Sequence, residues 1–213
     1  MPLNTSEKTV GRLSLYRRLL QELSTASVSY VYSHQLATKA GVTAAKLRRD
    51  IMAIGYTGSP SKGYDVVKLA ESIAHFLEDP EGQPAVIIGV GNLGRAIMSY
   101  FGGRRPKLQL VAAFDSDEKK VNRVIHNIRC FSADSLEEYI VQNSIKVAVI
   151  TVPVTQAQNV ADILVRSGVK GIMNFAPIHL RVPSDVFIED IDLAISLEKV
   201  AYFARQNKQK KEA

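Results

Sequence analysis

The chain has 213 residues, of which 46 % are apolar, a net charge of +6 and one cysteine. That length suits two modest domains, and a lone Cys130 excludes an internal disulfide framework. No apolar run approaches the roughly 20 residues of a membrane helix, and the N-terminus lacks the apolar core of a secretion signal. A cytoplasmic protein with no membrane partner is therefore expected.

The charge is segregated. Residues 1–64 hold nine Lys and Arg against three Asp and Glu, a balance of +6; the remaining 18 and 18 cancel. A basic module joined to a neutral one is the electrostatic footprint of nucleic-acid binding.

In chain order, residues 9–24 carry Val10, Leu13, Tyr16, Leu20 and Leu23 at helical spacing. A short helix follows over 32–40, with Ser33 as its expected N-cap, then the turn "AGV" and a third helix capped by Thr43. The stretch "GYTGSPSKGYDV" reads as a turn or hairpin, and 66–79 as a fourth helix ending at "DPEGQP". Beyond it the pattern alternates. Strands are expected at 85–90, 108–114, 146–151, 170–175 and 185–190, with a short segment at 128–131. Helices are expected at 92–101, 117–125, 135–143, 156–167 and 192–207, and the tail is expected to fray. Strands alternating with helices imply a parallel sheet with crossovers.

"AVIIGVGNLGRAI" places Gly89, Gly91 and Gly94 between an apolar strand and a helix, as a dinucleotide fingerprint requires. Val90, Asn92 and Leu93 lie between and beside these glycines and join the expected site. Asp115 ends the next strand, where an acid receives ribose hydroxyls and repels the extra phosphate of NADP; the expected cofactor is NAD(H). Lys119 and Lys120 are read as solvated.

Dehydrogenase chemistry needs a proton donor beside the nicotinamide. None of the four histidines forms a motif with Arg or Asp, and none has metal-ligand spacing with another, so no catalytic residue and no metal are expected. His179 is the only histidine worth testing as an acid. Tyr64 and Lys68 have the spacing of a short-chain dehydrogenase pair but precede the nucleotide fold. Cys130 is read as a small, partly buried residue.

The short "AGV" turn between the second and third helices is that of a helix-turn-helix. On the third helix Leu47, Ile51 and Ile54 face inward. Ala45 and Arg49 lie opposite, flanked by Lys46 and Arg48. A major-groove helix suits that face: Ala can touch a thymine methyl, and Arg can bridge a guanine or clamp a phosphate. The glycine-rich stretch then resembles a wing, with Lys62 at its tip.

With these residues assembled, the chain resembles the bacterial Rex repressors, which sense the NADH/NAD+ balance. The segments that carry the resemblance are "GVTAAKLRRDI", "GYDV", "GVGNLGRAI", "FDSDEKKV", "TVPVTQAQNVADILVRSGVKGIMNFAPIHLRVP" and "EDIDLAISLEKVAYF", in order along nearly the whole chain. One departure is the wing, where Ser61 and Lys62 stand in place of the family's usual glycine and arginine. The resemblance implies an α/β protein. A winged helix-turn-helix domain (1–80) would precede a Rossmann-type doubly wound parallel sheet (81–190) and a C-terminal dimerisation helix (191–213) exchanged between subunits. It adds Thr151, Val152 and Pro153, then Asn174, Phe175, Ala176 and Pro177, and Asp192 to the cofactor site. The DNA-binding set becomes Thr43, Ala45, Lys46, Arg48 and Arg49 with Ser61, Lys62 and Tyr64 of the wing. The implied function is a non-enzymatic homodimeric repressor that holds palindromic operator DNA and releases it on binding NADH, with NAD+ as the opposing effector. Two rivals remain: an oxidoreductase with an accessory DNA-binding domain, and a winged-helix protein whose Rossmann domain is only a scaffold.

Overall fold

The computed structural model describes residues 5–102 and 107–209. They fall into two compact units, Met1–Pro80 and Glu81–Ala213.

The first unit is a three-helix core with a fourth helix closing it. Helix α1 (Glu7–Thr25) buries Leu13, Tyr16 and Leu20, one stripe at helical spacing. Helix α2 (Ser33–Ala40) ends at Gly41, whose left-handed φ of 65° any Cβ would strain. The chain then turns directly into α3 (Ala44–Ala53), where the Thr43 hydroxyl accepts the Lys46 N–H at 3.2 Å as expected. The N-cap of α2 is Tyr32 rather than Ser33, and the Gln35 side chain accepts the Tyr32 N–H. Strands β1 (Tyr30–Val31) and β2 (Tyr64–Asp65) pair antiparallel and carry the wing between α3 and β2. Asp65 caps α4 (Val66–Leu77), which packs its Val66, Leu69 and Ile73 on the α1 stripe.

In the second unit, strands β3 (Gln83–Ile88), β4 (Leu108–Asp115), β6 (Ile128–Ser132), β7 (Val147–Ile150), β8 (Gly171–Asn174) and β9 (Phe187–Asp190) form a parallel sheet. Its spatial order is β6-β4-β3-β7-β8-β9, the doubly wound order with its reversal at β3 and β7. Alternation along β3 sends Val86 and Ile88 into one core and Ile87 into the other. Helices α6 (Leu136–Gln142) and α7 (Val154–Arg166) cover the first face, and α5 (Asn92–Phe101) covers the second.

Residues 117–125 do not form the expected helix. They make turns and then β5 (Val124–Ile125), which pairs antiparallel with β6 through a tight hairpin. His126 and Asn127 both take positive φ, 48° and 63°, the pair that such a two-residue turn demands. Helix α8 (Leu193–Gln209) carries no buried described side chain, and Leu193, Ile195, Leu197, Val200, Tyr202 and Phe203 are all exposed. The expected fraying does not begin at 207, because the helix runs through Gln209; the last four residues lie outside the described ones. No helix among the described residues is long and apolar enough to cross a membrane.

Candidate functional site

In the second unit, the strand reversal opens a cleft of about 670 Å³ at the carboxyl ends of β3 and β7. Gly89, Gly91, Asn92 and Leu93 line one side of it; Asp115 and Lys120 line another. Thr151, Val152 and Pro153 follow β7, and Phe175, Ala176 and Pro177 follow β8.

The glycine loop is held tightly. The Thr151 hydroxyl lies within hydrogen-bond distance of the carbonyl oxygens of Gly89 at 2.7 Å and Ile88 at 3.0 Å. Gly94 is the tightest position, because a Cβ there would overlap the Gly89 carbonyl oxygen. A Cβ on Gly91 would meet nothing within 4 Å; that surface is open to the cleft. Gly91 caps α5 with no side-chain hydrogen bond, so the first amides of α5 remain available to a phosphate.

Asp115 is more engaged than the sequence suggests. Its Oδ2 accepts the Val90 N–H at 2.7 Å and the Lys120 ammonium at 3.1 Å; Oδ1 accepts the Asp117 N–H at 2.9 Å. Burial alone would raise this carboxyl. The two backbone amides and Lys120 outweigh it and hold the group below the usual carboxylate range. Lys120 is therefore not the solvated helix residue expected, for it pairs with Asp115 and, at 3.6 Å, with Asp117. The free turn at 117–121, which replaces the helix, is what brings it there.

Other expected site residues serve from behind. The Val90 side chain is fully buried and reaches the site only through its backbone. Asn174 is also fully buried, and its amide group bonds Ala176, Ile178 and Asp190 rather than facing the cleft. Asp192 caps α8 by accepting the N–H groups of Ala194 and Ile195, and it is not among the cleft's lining residues. These residues fit a dinucleotide: a glycine loop, uncapped amides for the pyrophosphate and an ionised carboxylate at the ribose end.

In the first unit, Thr43, Ala45, Arg48 and Arg49 of the third helix and its cap are exposed, as are Ser61 and Lys62. The Arg48 guanidinium donates to Ser33 Oγ at 3.1 Å, which ties α3 to α2. The wing is pinned by Tyr32, whose hydroxyl donates to the Ser61 carbonyl at 2.8 Å. Lys62 stands 5.7 Å from the Tyr30 ring centre. Two members of the set are not free. Tyr64 is buried at the wing's base within the unit's core, and Lys46 is half-buried and pairs with Asp50 at 3.4 Å.

Asp50 is the residue that sequence reasoning missed. It is 3 % exposed on α3 itself. Arg12 of α1 grips it at 2.6 and 2.9 Å, and the Tyr16 hydroxyl donates to it at 3.1 Å. Burial, then the bond to Asp50, pushes the Tyr16 phenol up to about 12. The only signal was an acid inside a basic helix, 38 residues from its partner.

Two family models match the chain. One, for a CoA binding domain, covers residues 81–178, and one, for a putative DNA-binding protein N-terminus, covers residues 4–51. A redox-sensing transcriptional repressor Rex from Streptococcus agalactiae serotype III is 36 % identical, over 94 % of this chain and 95 % of that relative. The chain belongs to the Rex family. Among solved structures, the Rex-family repressor RSP in complex with NAD+ and operator DNA has a TM-score of 0.88 at 33 % identity, covering 99 % of this chain and 97 % of that one. RSP in complex with NADH has a TM-score of 0.87 at 33 % identity, covering 99 % of each. Rex relatives are thus named transcriptional repressors, and the fold found here is that of the Rex structures.

Proposed function

We propose that this protein is a homodimeric transcriptional repressor that holds palindromic operator DNA through its winged helix-turn-helix and releases it when NADH enters the cleft. One observation carries the reading. A single chain joins a basic reading helix to a doubly wound cleft, and RSP, which shares its fold and 33 % of its sequence, is known bound to NAD+ with operator DNA and to NADH.

The cofactor is read rather than consumed. Among the described residues, the cleft lining contains no histidine, tyrosine or cysteine, and its one lysine is paired with Asp115. His179 lies outside that lining and bonds Asp190. The two carboxylates that line the cleft, Asp115 and Asp117, are both paired with Lys120. NAD+ and NADH differ by one charge at the nicotinamide, and a sensor needs only unequal affinity in two dimer geometries. Moving a dimer from about 1:99 to 99:1 takes roughly 5.5 kcal/mol of such inequality.

In each protomer Ala45, Arg48 and Arg49 would enter the major groove, and Ser61 and Lys62 of the wing would meet the flanking backbone. Lys62 is a point charge and lacks the forked geometry of the family's usual arginine. Exposed apolar residues on α8 supply the subunit contact. The deciding experiment is fluorescence anisotropy of the protein on a labelled palindromic duplex at fixed salt, titrated with NADH and then NAD+. Release by NADH at concentrations where NAD+ does little is expected. Tight binding indifferent to both cofactors would leave the second unit as a scaffold.

A further inference from the structure

The loop after β8 and the end of β9 are fastened to each other by one buried side chain, Asn174. Asn174 and Asp190 are register partners on the parallel strands β8 and β9. The Asn174 amide nitrogen donates to Ala176 O at 3.2 Å, Ile178 O at 2.8 Å and Asp190 Oδ1 at 2.8 Å. Its oxygen accepts the Ala176 N–H at 3.0 Å. The loop 175–179 therefore curls around this amide, while Phe175, Ala176 and Pro177 line the cleft. The far end of the loop is tied as well, because His179 Nδ1 lies 2.8 Å from the second Asp190 oxygen.

The same strand end launches α8. The Ile191 N–H donates to the Asn174 carbonyl at 2.8 Å, and Asp192 follows as the cap of α8. Asp190 thus holds the cleft wall at both ends, one residue before the connection that aims the helix. A wall that shifts when the cleft fills must drag Asp190 or break its bonds. Either way the change reaches the first turn of α8, whose exposed apolar side chains carry the proposed subunit contact.

We propose that Asp190 is the positioning residue that couples the cleft wall 175–179 to α8. Asp190 is not among the cleft's lining residues. Its role is to make occupancy of the cleft felt at the subunit contact, and the inference rests on the reading of that cleft as the NADH site. Energetic coupling between sites is measured as a ratio of affinities, which separates a coupling residue from one that only supports the pocket.

The test uses the full-length protein, a labelled palindromic duplex and NADH. NADH binding is measured separately by calorimetry. In the wild type, NADH should weaken duplex binding by a large factor. In Asp190→Ala, duplex affinity without NADH and NADH affinity without duplex should each stay within about threefold, while the NADH effect on duplex affinity falls at least about tenfold. Asp190→Asn, whose amide oxygen still accepts from Asn174, should restore most of the effect. An unchanged NADH effect in Asp190→Ala overturns the inference, as does a loss of NADH affinity large enough to account for the whole change. A wild type that ignores NADH overturns the functional reading itself, and this inference with it.

Discussion

Gly91 and Gly94 stand three residues apart in one fingerprint and carry different burdens. Alanine at Gly94 would overlap the Gly89 carbonyl, so Gly94→Ala should lower stability by about 1–3 kcal/mol and the melting temperature with it. Alanine at Gly91 meets open space, so Gly91→Ala should melt like the wild type while losing at least about tenfold in NADH affinity, because its methyl occupies the approach of the pyrophosphate. Thermal melts and NADH titrations of the two variants separate these outcomes. Asp50 makes a pH prediction. Burial would raise its carboxyl, but the bonds from Arg12 and Tyr16, and the charges of Arg12 and Lys46, bring it below the ordinary value. A folded carboxyl depressed in this way binds its proton less readily than the unfolded one, of pKa about 3.9. Its stabilisation is complete well above pH 4 and is lost as pH falls through the folded value. Asp50→Asn should flatten the acid limb of a pH-stability curve for the wild-type chain, and an identical limb would show that the pairing contributes nothing.

At the scale of elements, what was legible depended on where the signal lay. Helices α1, α3 and α5 declared themselves by apolar spacing and by Thr43 and the glycines at their starts, and the parallel strands by unbroken apolar runs. The hairpin after β4 was hidden. Val121, Val124 and Ile125 recur at helical spacing, and the turn that overrules them is made by His126 and Asn127 without any glycine. Lys120 was misread for the same reason, since a helix would have carried it elsewhere. Asp50 was illegible because its partner comes from a distant helix. The glycine loop and Asp115 could be read because a local backbone requirement fixes their spacing. Helix α8 carries the next prediction. Its exposed Leu197 and Phe203 are proposed subunit contacts, so Leu197→Glu with Phe203→Glu should convert a dimer to a monomer in light scattering coupled to size exclusion. NADH should still bind, because neither residue lines the cleft. A doubly substituted chain that remained dimeric would remove α8 from the interface.

Across the whole molecule, the proposed function gives the two units separate work. All the excess positive charge lies in the first 64 residues. Operator binding should therefore weaken steeply with salt, and Arg49→Ala, which removes one contact from each protomer of the dimer, should reduce that slope by about two if the side chain clamps a phosphate. If Arg49 reads a base instead, the slope should hold and the loss should depend on duplex sequence. Asp115→Asn tests the division from the other side. It keeps an acceptor for the Val90 N–H but removes the charge at the ribose end, so NADH affinity should fall while operator affinity without cofactor stays near the wild-type value. Equal loss of both, in a protein that remains folded, would contradict separate roles for the two units.

The one cysteine offers a way to watch the second unit open. Cys130 is fully buried on β6, opposite Ala113 of β4, and burial followed by the charge of Asp115 pushes its thiol up. An alkylating reagent can reach it only when that part of the sheet parts, so the labelling rate follows the population of opened molecules. No engineered reporter is needed, and no other thiol competes. A ligand at a hundred times its dissociation constant adds about 2.7 kcal/mol to the closed state, which is about a hundredfold in that rate. Alkylation timed with and without NADH would therefore measure cofactor affinity in the absence of DNA.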